Sequence, residues 1–329
     1  MLRALQITKD EAGHRASLTE IPDDELGEGD VTIAVDYSTV NFKDGLGITG
    51  AAPVIERFPI VAGIDLAGTV VEATAESGFI PGDKVAVNGW GLAVDHNGGL
   101  ATRARVPAGW VTRIPERFTT WEAMAIGTAG YTAALSVVAL RRHDVLPDRG
   151  PVIVTGAAGG VGSVAIALLS ALGHEVHAST GRRSEDVYLL RLGASKVTDR
   201  GELSDPGRGL LGAEQWAGAV DTVGSHTLVN VLRQIRYGGA VANCGLAQGF
   251  DLPGSVIPFI QRSVTLIGID SVLAPIPSRT EAWNLLAEHL NGGLLKEMTT
   301  TVPLGQAVEV AQRVLEGAVR GRTVVDVNA

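Results

Sequence analysis

The sequence is sparing with cysteine, with blocks of like charge and with unbroken apolar runs. One cysteine, Cys244, stands among 329 residues, so no intramolecular disulfide can form. The N-terminus lacks the basic, then apolar, then small-residue order of a signal peptide. Gly, Pro or charge interrupts the longest apolar runs well short of a membrane span. No lysine-rich block or basic helix offsets the formal net charge of −9, which argues against a nucleic-acid partner. Internal repeats, low-complexity tracts and long linkers are also missing. A cytoplasmic enzyme is the simplest class left.

What is present suits a globular chain of two domains: hydrophobic residues make up 45% and charged residues 19%. The most informative stretch is Pro151-Val152-Ile153-Val154-Thr155-Gly156-Ala157-Ala158-Gly159-Gly160-Val161-Gly162. A β-branched run ends in a glycine-rich turn, and a helix is expected from Ser163. Such a turn lets backbone N–H groups approach a pyrophosphate at a helix N-terminus. The spacing is imperfect, because Ala157 occupies the first glycine position and Gly156 lies one residue earlier. Gly173 then closes the helix, and His174-Glu175-Val176-His177-Ala178-Ser179 reads as the next strand, completing a βαβ unit. At the end of that strand an NAD enzyme places a carboxylate on the ribose. Here the chain reads Ser179-Thr180-Gly181-Arg182-Arg183. Guanidinium groups pair with a 2′-phosphate where a carboxylate would repel it, so NADPH is favoured over NADH.

Residues 1 to about 121 read as β-rich, with alternating strands at 31–37, 65–71 and 84–87. From about 122 to 270, helices alternate with strands at 151–155, 174–179, 195–198, 217–222, 239–244 and 263–269. Six strands with helical crossovers fit a doubly wound parallel sheet, a Rossmann α/β fold. The tail returns to the first pattern, with a helix near 281–290 and a strand at 323–327. A catalytic domain of residues 1–121 plus 271–329, with a cofactor domain of 122–270 inserted, is the expected organisation. A cleft between two such domains is the expected ligand site.

These features together resemble the medium-chain dehydrogenase/reductase superfamily in its quinone-oxidoreductase-like branch, and within it the NADPH-dependent acrylyl-CoA (acryloyl-CoA) reductases. The likeness is carried by Val40-Asn41-Phe42-Lys43-Asp44-Gly45-Leu46, by Gly63-Ile64-Asp65-Leu66-Ala67-Gly68-Thr69-Val70 and by Gly127-Thr128-Ala129-Gly130-Tyr131-Thr132-Ala133. It continues through residues 216–224 and 243–247, and through Pro258-Phe259-Ile260 to Gly268-Ile269-Asp270-Ser271-Val272. The resemblance implies a GroES-like catalytic domain. Zinc members of the superfamily carry a cysteine where this chain has Asn41 and a histidine where it has Ile64, so no metal is expected.

Without a Lewis acid, reduction of an activated double bond is expected rather than alcohol oxidation. Acrylyl-CoA would become propionyl-CoA by hydride transfer to the β-carbon. Asn41 would donate to the developing oxyanion, and Lys43 would donate a proton or pair with Asp44. Phe42 would lie by the nicotinamide, and Asp65 would orient its neighbours. Gly160, Val161, Gly162, Ser163 and Val164 would hold the pyrophosphate. Ser179, Gly181, Arg182, Arg183 and Arg200 would surround the 2′-phosphate side, and Leu246 and Ser271 the nicotinamide side. Arg57, Arg262 and Arg322 are the cations open to CoA phosphates. The last sheet strand would be an open edge suited to a homodimer. An NADPH:quinone reductase and a non-catalytic NADPH-binding protein are the alternatives.

Overall fold

The computed structural model describes every residue except Ala12 and Arg208. The chain divides into two units, Met1–Thr128 with Leu295–Ala329, and Ala129–Leu294.

The first unit is built on strands that alternate apolar and polar residues. Val31, Ile33 and Val35 point into the core from one face of Val31–Thr39, and Leu66, Val85 and Val87 join them from neighbouring strands. Its larger sheet runs in the order Thr299–Pro303, Arg322–Asp326, Val31–Thr39, Asp65–Ala73, Lys84–Asn88 and Thr112–Arg113, with Arg103–Val106 paired to Val31–Thr39 off this path. A smaller sheet holds Gly13–Ile21, Leu2–Asp10 and Ile60–Val61. Register brings the polar residues of this unit together. Val324 pairs with Thr39, which sets Arg322 beside the chain as it leaves that strand toward Asn41. Asp65 opens its strand directly opposite Asn88.

The second unit is a six-stranded parallel sheet. In chain order its strands are Val152–Val154, Val176–Thr180, Lys196–Asp199, Trp216–Asp221, Ile235–Asn243 and Thr265–Gly268. In space the order is third, second, first, fourth, fifth, sixth, the doubly wound arrangement expected from the sequence. All six strands fall within a few residues of their expected places. The fifth starts four residues early, where an irregular register between Trp216 and Gly218 lets Ile235 pair ahead of the main ladder. Cys244 lies just beyond that strand, its Sγ 3.5 Å from the Asp221 carbonyl.

The helix after the glycine turn is Gly160–Ala171, starting three residues before the expected Ser163. Gly159 is extended and caps it, so the two glycines read as turn are already helical. The helix Thr120–Arg142 is the one described helix long and apolar enough to cross a membrane. It is broken at Gly127, and 89% of its apolar window is buried within the protein.

The difference between buried and exposed positions in Asp65–Ala73 is testable by denaturant unfolding. Leu66, buried in the core, should cost about 2–5 kcal/mol when replaced by Ala. Val71, on the exposed face of the same strand, should cost within about 0.5 kcal/mol when replaced likewise.

Candidate functional site

Two polar constellations stand out, one in each unit. In the first unit the centre is Asp65, fully buried at the start of its strand. Its Oδ2 accepts hydrogen bonds from Thr39 Oγ1 (2.7 Å), Asn41 Nδ2 (2.8 Å) and the Thr128 N–H (2.9 Å). Its Oδ1 accepts from Asn88 Nδ2 (2.7 Å) and Thr128 Oγ1 (2.6 Å). The bonds to Thr128 follow from the break at Gly127, whose φ is +50°. The helix restarts there, and the Asp65 carboxylate caps the new N-terminus, where negative charge is favoured.

Asn41 precedes the helix Phe42–Thr49. Asp44, in the first turn, accepts the Asn41 backbone N–H (2.8 Å) and Asn41 Nδ2 (3.1 Å), and its other oxygen accepts the Ile64 N–H (2.8 Å). On its far side the Asn41 amide accepts from Arg322 Nη1 (3.0 Å), and Arg322 Nε donates to the Ala125 carbonyl (3.0 Å). Burial lowers the Arg322 pKa, against the pull of Asp65 and Asp44. Burial pushes the Asp44 carboxyl up to about 7, helped by the charge of Asp65 and opposed by the hydrogen bonds from Asn41 and Ile64.

Lys43 and Phe42 flank this network. Phe42 is 41% exposed, unusual for a large apolar side chain at a helix start. Lys43 is half-buried and lines a small cavity with Gly63 and Ile64. It forms no ion pair with Asp44, whose oxygens are taken by Asn41 and Ile64. Both N–H groups of the Asn41 amide are directed at Thr39, Asp44 and Asp65, so donation from Asn41 to a substrate would require one of these bonds to be given up.

In the second unit the glycine turn runs from Thr155 into Gly160–Ala171. A Cβ on Gly162 would lie 2.5 Å from the Gly156 carbonyl oxygen, so only glycine lets the helix approach its own turn. The first N–H groups of the helix have no intrahelical acceptor and form a cradle for an anion. Ser163 and Val164 lie beneath the cradle. The Ser163 N–H bonds the Gly159 carbonyl (3.0 Å), and its hydroxyl accepts from Tyr188 (2.8 Å).

At the end of the second strand Arg182 reaches back, its Nη2 3.1 Å from the Ala158 carbonyl. Arg200 lies over Gly181, where a Cβ would stand 2.4 Å from its Nε. Arg183 is exposed and pairs with Asp186 at 2.7 Å. Ser179 is buried, and its hydroxyl has no hydrogen-bond partner among the described residues. An orphaned hydroxyl beside a glycine cradle and three arginines fits a phosphorylated dinucleotide. Leu246 is exposed, and the Ser271 carbonyl accepts from Arg279 Nη2 (3.3 Å).

Sequence reasoning missed the parts played by Asn88, Thr128 and Tyr188, and by Asp221, which is buried and takes Thr155 Oγ1, the Gly224 N–H and Asn243 Nδ2. A carboxylate at the end of the apolar run Trp216–Asp221 was the available signal. Of the three arginines considered for CoA phosphates, two serve the fold. Arg322 is buried, and Arg262 bonds the carbonyls of Gly212 (2.7 Å) and Arg233 (3.0 Å) and pairs with Glu214.

A strand-rich unit with a returning tail and a doubly wound sheet opening on a glycine cradle define a two-domain dehydrogenase/reductase. Residues 27–116 match the alcohol dehydrogenase GroES-like domain, and residues 160–288 match the zinc-binding dehydrogenase domain. The chain is 46% identical to the acrylyl-CoA reductase AcuI of Ruegeria pomeroyi over 331 residues, covering 100% of both chains. It is similar to the solved structure of Escherichia coli K-12 YhdH with bound NADPH, with TM-score 0.96 and 44% identity over 99% of this chain and 100% of that one. It is also similar to Bacillus subtilis YhfP, solved with NAD bound, with TM-score 0.94 and 39% identity over 99% of each chain. The chain belongs to the medium-chain dehydrogenase/reductase superfamily, in its quinone-oxidoreductase-like branch.

The zinc implied by one matching domain does not suit the residues present. The amide of Asn41 is committed to hydrogen bonds, Ile64 offers only an alkyl group, and no group of three or more His, Cys, Asp or Glu side chains among the described residues could hold a metal ion.

The Asp44 titration gives a measurable outcome. An ordinary Asp titrates near about 4. Between there and about 7 the folded protein holds a proton that the unfolded chain releases, so this group lowers stability as pH rises through that window. Urea midpoints measured from pH 4 to 8 should fall less steeply in Asp44→Asn than in wild type. Parallel profiles would show that Asp44 titrates normally.

Proposed function

We propose that the protein is an NADPH-dependent reductase of α,β-unsaturated acyl thioesters, converting acrylyl-CoA to propionyl-CoA. The observation that carries the cofactor choice is the end of the second strand, where Arg200 lies over Gly181, Arg182 reaches the Ala158 carbonyl, and the strand itself ends in Thr180 rather than a carboxylate. The full-length likeness to acrylyl-CoA reductase AcuI supports the substrate choice. The unit containing the parallel sheet is the NADPH-binding domain, and the strand-rich unit with its returning tail is the catalytic domain. The N–H groups of Gly160, Val161 and Gly162 hold the pyrophosphate, backed by Ser163 and Val164. Ser179, Gly181, Arg182, Arg183 and Arg200 receive the 2′-phosphate side. Phe42, Leu246 and Ser271 serve the nicotinamide side.

When bound, NADPH supplies the hydride for the β-carbon. The electron pair of the C=C bond then moves toward the thioester oxygen, where donors lower the barrier most. Lys43, an ammonium without a carboxylate partner among the described residues, stabilises that oxygen or delivers the proton to the α-carbon, and Asn41 caps the helix turn from which it acts. The thioester is already electron-withdrawing, so the residues need not build a Lewis-acid site. Arg57, exposed and unpaired among the described residues, is the cation left for the CoA phosphates.

A quinone reductase is the second reading, favoured by the 39% identity to YhfP, which carries a provisional name as a quinone oxidoreductase. Steady-state loss of NADPH with acrylyl-CoA, crotonyl-CoA and benzoquinone side by side separates the two, and acrylyl-CoA should have the highest kcat/KM. In the same assay Arg182→Ala/Arg183→Ala should raise the KM for NADPH at least about tenfold more than that for NADH, the loss of about 1.4 kcal/mol of phosphate pairing. Equal effects on both would remove the 2′-phosphate role.

We further propose a cytoplasmic homodimer. Among the described residues Thr265–Gly268 pairs only with Ile235–Asn243, which leaves its other edge open, and Leu266 and Ile267 on it are half-buried. Light scattering should give twice the chain mass, and a monomer would reject this assembly.

A further inference from the structure

We propose that Arg322 is a positioning residue for the reaction, acting through the Asn41 amide on the helix start that carries Lys43. This rests on the assignment of Lys43 to the substrate.

Arg322 is 3% exposed and sits in the strand Arg322–Asp326, in the returning tail, far in sequence from everything it holds. Desolvating a cation is costly unless acceptors and counter-charges meet it. Two carboxylates are nearby, but the attraction is transmitted through one neutral side chain. Asn41 Oδ1 takes Arg322 Nη1, and Asn41 Nδ2 gives to Asp65 and Asp44. This fixes the amide in one orientation. Turned over, its oxygen would face two carboxylate oxygens and its NH2 would face a guanidinium. The position of Arg322 therefore dictates that of Asn41, and Asn41 with Asp44 sets the start of the helix Phe42–Thr49, in whose first turn Lys43 lies. Asp44 extends the chain of contacts to the Ile64 N–H, beside the cavity that Lys43 lines.

The geometry has little room to adapt. Nη2 has no hydrogen-bond partner among the described residues and lies where a Cβ on Gly127 would come within 2.4 Å. A side chain needed only for packing would not carry an uncompensated N–H into that spot. Without its charge, Asp65 and Asp44 share a buried site with no cation to balance them. The Asn41 amide then loses the donor that fixes its oxygen, and the start of the helix Phe42–Thr49 loses its register.

Three measurements on the full chain test this: kcat and KM with acrylyl-CoA, Kd for NADPH by fluorescence titration, and amide hydrogen exchange at Asn41, Ile64 and Thr128. Arg322→Met should lower kcat about 100-fold, the scale of a misplacement near 1 Å. NADPH Kd should stay within about threefold. The three amides should exchange faster, and Arg322→Lys should recover part of kcat because it keeps the charge but not the two-point hold on Ala125 and Asn41. A Kd for NADPH that rises in step with the loss of kcat would assign the guanidinium to the cofactor and overturn the proposal. Unchanged kcat or unchanged exchange in Arg322→Met would overturn it as well. Should Arg322→Met not fold, Arg322→Lys decides: wild-type kcat and exchange in that variant reject the positioning role. Wild-type protein inactive on every enoyl thioester would instead defeat the substrate reading, while the exchange measurement would still report on the network.

Discussion

A guanidinium withdrawn from water is tolerated only where acceptors and opposite charge surround it. In the strand-rich unit the arrangement of polar groups answers that requirement. Arg322 is delivered by the tail strand, Asn41 by the turn after Val31–Thr39, Asp65 by the first residue of its strand, and Asn88 by the last residue of the next. Each strand is positioned by its own apolar face, and the polar ends then meet. The sheet supplies the precision and the ionic network uses it. Removing one member would leave buried partners unsatisfied, which costs more than the bond itself contributes.

The parallel-sheet unit handles polarity in the opposite way. Two contacts beneath its turn are closed off side chain to side chain, Ser163 with Tyr188 and Thr155 with Asp221. Above them the glycine turn presents the first N–H groups of the helix Gly160–Ala171. A rigid floor beneath a rim of donors is what an anionic ligand needs, because the cost of ordering the rim is met during folding. Ser179 belongs to this rim, a buried hydroxyl whose bond is left to be made.

The doubly wound sheet was legible because its signal is local. A β-branched run, a glycine turn, an apolar helix and a second strand all fall within thirty-odd residues, and each obeys its own periodicity. The expectation for the arginines after Ser179 rests on the same kind of local signal, since the position after the second strand has a defined chemical task. The network around Asp65 was not. Its role as an orienting carboxylate could be read, but Thr39, Asn88, Thr128 and Arg322 are joined to it only by strand register and by a helix break. No periodicity announces such a meeting. Arg322 looked like a cation open to phosphate because a charged residue near a chain end is ordinarily solvated. Its burial follows from the tail strand entering the middle of a sheet, between Thr299–Pro303 and Val31–Thr39.

The break at Gly127 gives one stretch of helical chain a second beginning, and Asp65 is anchored to it through Thr128. Positions 65, 127 and 322 are thereby bound to a common fate. A side chain at 127 would displace the guanidinium, and a straightened helix would withdraw the N–H that the carboxylate accepts. Among natural variants of this chain, the glycine, the aspartate and the arginine should be inherited or lost as a set. The lineage can drift freely in the outer turns of the long helix, but at these three places it can change only by changing all of them together.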